Sequence, residues 1–253
     1  SGVSFWGFDI GGFYNCDYSG KRVIPEDEAY IRSVQMGLMS PLSRSHGQST
    51  PREPWIYSET AQNAFLKINK LRYRMLPYLY STGYETTMTG IPMMRAMLLE
   101  FDDLGCEDCD RQYMLGDSLL VAPVMRADGW VDYYLPKGKW THLLSGETVE
   151  GHGWRRDTYD FFSLPVYVRE NTILPVGSYA ERPEYDYADG LTLRLYQFAD
   201  GAVAERNVCD TEGNVILTAK ASRQGDTITV KLTGRKENVT IQQFGTDCRL
   251  VVE

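Results

Sequence analysis

The chain has 253 residues, a formal net charge of −8, 43% hydrophobic and 24% charged residues. That composition is ordinary for a folded globular protein and leaves room for one large domain or two to three small ones. An acidic balance without clustered Lys and Arg excludes nucleic acid as a partner. No run of about 18 apolar residues is present to cross a membrane, so no membrane partner is expected.

The elements follow in chain order. "VSFWGFDI", residues 3–10, reads as a buried strand ending at Asp9, with "GGFYN" as the turn after it. Pro25 and three acids, Glu26, Asp27 and Glu28, are helix-start signals. Ile31, Val34 and Leu38 then step by three and four, as one buried helix face requires. "PLSR" is a short strand and "SHGQSTPREP", residues 45–54, a polar turn. A long helix is predicted from about Glu59 to Met88, bent at Pro77 and closed by Gly90. Strand, helix, strand, helix is two successive βα units, the pattern of a parallel sheet or a (β/α) barrel.

After Gly90 short strand-like runs take over: "PMMRAMLLEF", "YMLGDSLLVAPVM", "WVDYYLP" and "KWTHLL", with "PKGKW" as a hairpin turn. Alternation becomes clear toward the end, in Leu191, Leu193 and Leu195, in Val215, Leu217 and Ala219, and in Ile228, Val230 and Leu232. Strands at this spacing, separated by turn residues, predict antiparallel sandwiches. Boundaries are placed after residues 90 and 175, which divides the chain into 1–90, 91–175 and 176–253. The fold class is therefore α/β plus all-β.

In a barrel the ligand face lies at the C-terminal strand ends. Asp9 sits there for the first strand, and Arg44 and His46 for the second. Trp6, Phe8 and Phe13 flank Asp9. A carboxylate, an imidazole and a guanidinium beside aromatic faces suit the hydroxyls and apolar C–H faces of a sugar. Each residue also has a structural role open to it. Asp9 could accept backbone N–H bonds in its turn, His46 could be a satisfied structural histidine, and Arg44 could serve a buried ion pair. No partner carboxylate is evident for the pairing of about 5–5.5 Å that a retaining glycosidase needs, since Glu53 and Asp17 lie in turns. No nucleotide loop or nucleophile elbow is present. His142 and His152 lack ligand spacing, and no cofactor or metal is expected. The five cysteines, Cys16, Cys106, Cys109, Cys209 and Cys248, follow no disulfide framework. The C-x-x-C of Cys106 and Cys109 reads as free thiols in a loop. A reducing compartment follows, hence a cytoplasmic location, with the periplasm as the alternative.

"SGVSFWGFDIGGF", then "SPLSRSHG" and "LRYRMLPYLYS", resembles glycoside hydrolase family 31. So do "GIPMMRAMLLEF", "DRQYMLGDSLLVAPV", "YYLPKGKWTHL" and "LPVYVRENTILPVG", with a particular similarity to the bacterial α-xylosidases of that family. The resemblance implies the last two βα units of a (β/α)8 barrel, entered at its seventh strand, followed by two antiparallel β-sandwich domains. It implies that Asp9 and His46 hydrogen-bond the sugar of the −1 subsite, that Phe13 and Trp6 wall it, and that Arg44 belongs to the same motif. The family's nucleophile and acid/base aspartates fall before the matching segment. The resemblance thus implies the C-terminal part of a retaining α-glycosidase, an α-xylosidase removing terminal α-linked xylose, with no catalytic residue of its own and no activity alone. An α-glucosidase, or a non-catalytic carbohydrate-binding or structural module, is the alternative. The expected partners are an α-xyloside or α-glucoside oligosaccharide, the N-terminal part of the same enzyme, and further copies in a homo-oligomer.

Overall fold

The computed structural model of the chain describes residues 2–48 and 50–253. Ser1, at the head of the first family-like motif, and Ser49, in the expected polar turn, lie outside those residues. The first strand is shorter than expected: β1 covers Asp9–Ile10 alone, and Val3, Phe5 and Trp6 are exposed. Before Asp9 the backbone bonds reach two different segments. Leu42 N donates to Trp6 O at 3.1 Å and Met93 N to Ser4 O at 3.0 Å. No ladder can run through residues whose partners lie on separate segments. Asp9 is accordingly the first residue of its strand, not the last.

Helix α1 (Asp27–Leu38) begins two residues later than Pro25, with Asp27 and Glu28 in its first turn. Its buried stripe includes the predicted Ile31, Val34 and Leu38. Strand β2 (Arg44–Ser45) returns parallel to β1, with Asp9 opposite Arg44 and Ile10 opposite Ser45. Ile10 is buried beneath α1, where Gly37 leaves the room: a Cβ there would collide with the Ile10 side chain. Asp9, next along the strand, projects to the other face.

After a 3-10 turn at Pro54–Ile56 the predicted long helix appears as two. Helix α2 (Glu59–Arg74) is capped by the Ser58 hydroxyl, which accepts from Ala61 N at 3.3 Å. Helix α3 (Leu76–Thr89) starts after Met75, and Gly90 ends it at φ 75°. Pro77 breaks the run instead of bending it because it falls in the first turn of α3, where a missing N–H is harmless.

The rest is layered sheet. Strand β3 (Met94–Arg95) is followed by a helical turn, α4 (Met97–Glu100), where a longer strand was expected. β4 (Tyr113–Leu115), β5 (Leu119–Val121), β6 (Trp130–His142), β7 (Thr148–Thr158) and β8 (Val166–Arg169) join β3 in a six-stranded antiparallel sheet ordered β3-β4-β5-β8-β6-β7. "PKGKW" is no hairpin turn: β6 runs straight through it. A bulge between Leu135 and Gly138 absorbs the extra residue, and the Trp140 indole donates to the freed Pro136 carbonyl at 2.9 Å. The hairpin turn lies at residues 143–147 instead, where Gly146 has φ 76°.

β9 (Thr172–Val176) pairs with β10 (Thr192–Tyr196), so this ladder crosses residue 175. β11 (Val203–Cys209), β12 (Val215–Gln224), β13 (Thr227–Gly234), β14 (Thr240–Phe244) and β15 (Arg249–Val252) complete two sheets, β14-β10-β9 and β11-β12-β13-β15. They are mostly antiparallel, but β10 with β14 and β13 with β15 are parallel. Leu191, Leu193, Leu195, Leu217, Ala219, Ile228 and Val230 are completely buried, as their alternation predicts. Val215 is exposed because a bulge at Val208–Cys209 shifts the facing register. The fold class is as the sequence implies, βα units followed by sandwiched sheets. Among the described residues no helix is long and apolar enough to cross a membrane.

Candidate functional site

The turn after β1 begins with Gly11 and Gly12 at φ 84° and 80°, a region closed to most side chains. Gly12 N closes it on Asp9 O at 2.9 Å, and the Ser33 hydroxyl of α1 accepts from Gly11 N at 2.8 Å. Phe13 follows, 48% exposed. Across from it, the loop after β2 carries His46, whose ring centroid lies 5.6 Å from that of Phe13. The two loops are joined by Gln48 N, which donates to Phe13 O at 2.8 Å.

Arg44 Nε donates to Asp9 Oδ1 at 2.9 Å, a pair set side by side by the strand register. Arg44 is itself two-thirds exposed, so its ion pair is a surface one and not a buried one. Thus the structure brings Asp9 to Arg44 across the two short strands, and Phe13 to His46 on the adjoining loops that follow them. Trp6 packs on Phe8, with centroids 5.8 Å apart.

The two carboxylates weighed as partners for Asp9 have structural work. Glu53 Oε2 accepts from Arg52 N at 2.9 Å, and Asp17 holds a turn through Ser19 and Lys21. Among the described residues no group of His, Cys, Asp and Glu could hold a metal ion. Cys106 is buried, and burial pushes its thiol up to about 12; Cys109, donating to Gly105 O at 3.1 Å, is pushed up to about 11. Neither forms a ready thiolate at neutral pH. His142 is also structural. Its ring nitrogens meet Leu164 O at 3.1 Å and the Ser145 amide and hydroxyl, and burial lowers its pKa.

Sequence reasoning missed Arg52. Its Nε donates to Gly12 O at 2.7 Å and its Nη2 to Phe13 O at 3.1 Å, while its own carbonyl accepts from the buried Tyr30 hydroxyl at 3.1 Å. Tyr30 stacks on Tyr57 at 3.7 Å, and burial raises both phenols. The only signal in the chain is an arginine between two prolines, which composition reads as a polar turn.

Parallel βα units with a charged pair in their strands and aromatic rings on the loops after them, followed by sandwiched sheets, define a barrel-type α/β protein with C-terminal β-layers. The chain matches three family models in succession. They are described as the glycosyl hydrolases family 31 TIM-barrel domain over residues 1–82, the glycosyl hydrolase family 31 C-terminal domain over residues 90–174, and the C-terminal domain of alpha-xylosidase YicI over residues 186–252. The chain belongs to glycoside hydrolase family 31. It is 36% identical over 247 residues to the alpha-xylosidase XylQ of Lactiplantibacillus pentosus, covering 95% of this chain and 31% of that protein. It is 30% identical over 224 residues to alpha-glucosidase 2 of Bacillus thermoamyloliquefaciens, covering 87% and 27%. The crystal structure of the family 31 alpha-xylosidase of Xanthomonas citri matches with a TM-score of 0.77 at 26% identity, covering 96% of this chain and 29% of that one. The chain thus spans about three-tenths of the length of the curated relatives it matches.

Proposed function

We propose that the protein carrying this chain is a retaining α-glycosidase that removes terminal α-linked xylose from oligosaccharides, and that this chain supplies the rim that holds the sugar. The observation that carries the reading is the pairing of Asp9 with Arg44 beside the facing Phe13 and His46 rings. Asp9 is tied to a guanidinium, which suits it to accept from sugar hydroxyls. A covalent glycosyl-enzyme mechanism needs two carboxyl groups about 5–5.5 Å apart, and in this reading that pair belongs to the remainder of the polypeptide. Phe13 offers a ring face to the apolar side of the sugar, and His46 offers a ring nitrogen to a hydroxyl. Trp6 contributes an outer wall against Phe8. The residues up to about 90 form the barrel portion, and the six-stranded sheet β3–β8 and the two sheets built from β9–β15 brace it, with the division between them before β9 and not after residue 175.

The choice of xylose rests on the similarity of residues 186–252 to an alpha-xylosidase C-terminal domain and on the alpha-xylosidase relative. An α-glucosidase is the second reading, favoured by the alpha-glucosidase relative at 30% identity. Hydrolysis of aryl α-xyloside and aryl α-glucoside by the whole protein separates them. A higher kcat/KM on the xyloside is expected, and a higher value on the glucoside would replace the first reading with the second. Residues 1–253 alone should hydrolyse neither, and turnover by this piece would refute the assignment of the reacting carboxylates.

A further inference from the structure

We infer that Arg52 is a positioning residue that sets the distance between Phe13 and His46, an inference that rests on the sugar-holding reading of those two rings. The two rings lie on different loops. Phe13 follows β1, His46 follows β2, and their strands pair over only two residues each. So short a ladder cannot fix the loops beyond it. Arg52 reaches between them. Its Nε and Nη2 take the consecutive carbonyls of Gly12 and Phe13, at 2.7 and 3.1 Å, and its Nη1 reaches the Thr50 carbonyl and hydroxyl on its own loop. One planar fork therefore binds the turn that carries Phe13 to the loop that carries His46.

The surroundings are shaped for that fork. Arg52 is 5% exposed. A Cβ at Gly11 would press on its aliphatic stem, and a Cβ at Gly47, the residue after His46, would overlap its guanidinium. Glycines thus stand on both walls of the slot. The base is held as well. Arg52 O accepts from Tyr30, Arg52 N donates to Glu53 Oε2, and Tyr30 stacks under Tyr57. Gly12 O lies on a turn where no further strand is paired, so the guanidinium takes the place of a ladder neighbour there, and at Phe13 O it adds to the single bond from Gln48 N. Lysine has one point of donation and cannot bridge two consecutive carbonyls and a third group in one plane.

The test uses the whole protein with Arg52→Ala, Arg52→Lys and Gly47→Ala. Backbone amide exchange of peptides spanning residues 11–15 and 46–48 should quicken by about tenfold or more in Arg52→Ala, with peptides from α1 unchanged. On the aryl α-glycoside that the wild type hydrolyses best, kcat/KM should fall by about 10- to 100-fold. Millimolar guanidinium should restore part of that loss in Arg52→Ala and none in Asp9→Ala, a rescue that a general loss of stability would not show. Gly47→Ala, which keeps every donor but crowds the fork, should move exchange and kcat/KM in the same direction by less. It decides the matter if Arg52→Ala does not fold. Unchanged exchange at residues 11–15 and 46–48 in Arg52→Ala, or wild-type behaviour in Arg52→Lys, would overturn the inference. A wild type that cleaves neither glycoside would refute the proposed function instead, and the exchange measurement would still decide the clamp.

Discussion

In residues 113–252 most of the backbone runs in paired strands. β6 and β7 alone are 13 and 11 residues long, and the side chains between the sheets, such as Leu193, Leu217 and Val230, are wholly buried. Among the described residues of 2–57 only two strands of two residues pair, and arginines do what ladders do elsewhere. Arg52 donates to the carbonyls of Gly12 and Phe13, and Arg72 to those of Leu38, Ser40 and Pro41. The contrast teaches where each region can change. A ladder fixes every residue along it. A guanidinium fork fixes two or three carbonyls and leaves the side chains between them free to face a ligand.

The sharpest break of that contrast is a core truncation. Leu193→Ala should cost about 2–5 kcal/mol of unfolding free energy, whereas Leu42→Ala, in the exposed stretch before β2, should cost under about 0.5 kcal/mol. Denaturant titration of the whole protein reads both. Next comes the removal of a fork. Arg72 closes the C-terminal end of α1, and burial lowers its pKa to about 10, which leaves it charged at neutral pH. Arg72→Met should cost about 2–3 kcal/mol by leaving carbonyls without donors, and Arg72→Lys should recover only part of it.

A smaller effect lies where α3 meets the sheets. Arg206 of β11 donates to both Asp117 oxygens at 2.7 Å and to Ser118 Oγ at 3.0 Å, and it covers the Tyr78 ring of α3. Burial works to raise the Asp117 carboxyl, but the Arg206 charge and the Ser118 and Arg206 hydrogen bonds hold it below its usual value. A carboxyl whose folded pKa is lowered contributes stability that is complete above its unfolded value, about 3.9, and fades as pH falls through the folded one. Asp117→Asn should therefore flatten the acid limb of the stability curve below about pH 4, by about 1 kcal/mol given that Asp117 is partly exposed. The smallest effect on stability is expected at the rim. Phe13→Ala should change unfolding by under about 0.5 kcal/mol, since the ring is half exposed, while weakening xylose binding in calorimetry.

The parts of the fold legible in the sequence are those where one face is dry. The stripe of α1, the stop at Gly90 and the alternation at residues 191–195 and 228–232 all report burial, which periodicity encodes. What periodicity does not encode is where a carbonyl finds its donor. "PKGKW" carries turn residues, yet Trp140 satisfies Pro136 O and lets β6 continue. "VSFWGF" is apolar enough for a strand, yet its backbone is taken by two separate segments. The same limit applies at the rim. Asp9, Arg44, Phe13 and His46 stand out as residue types near strand ends, and their pairing follows from β1 lying beside β2. Arg52 acts through backbone oxygens of residues 12 and 13, forty residues away, and no local pattern marks it.

The central claim is that this rim holds the sugar on which the enzyme acts. Its most direct test is the hydrolysis of aryl α-xyloside by the whole protein with Asp9→Ala. Loss of an exposed ion pair should shift stability by about 1 kcal/mol at most. The account predicts a fall of about 100-fold or more in kcat/KM at nearly unchanged stability, because a site shaped around hydroxyl contacts loses its acceptor. Wild-type kcat/KM in a correctly folded Asp9→Ala protein would contradict it.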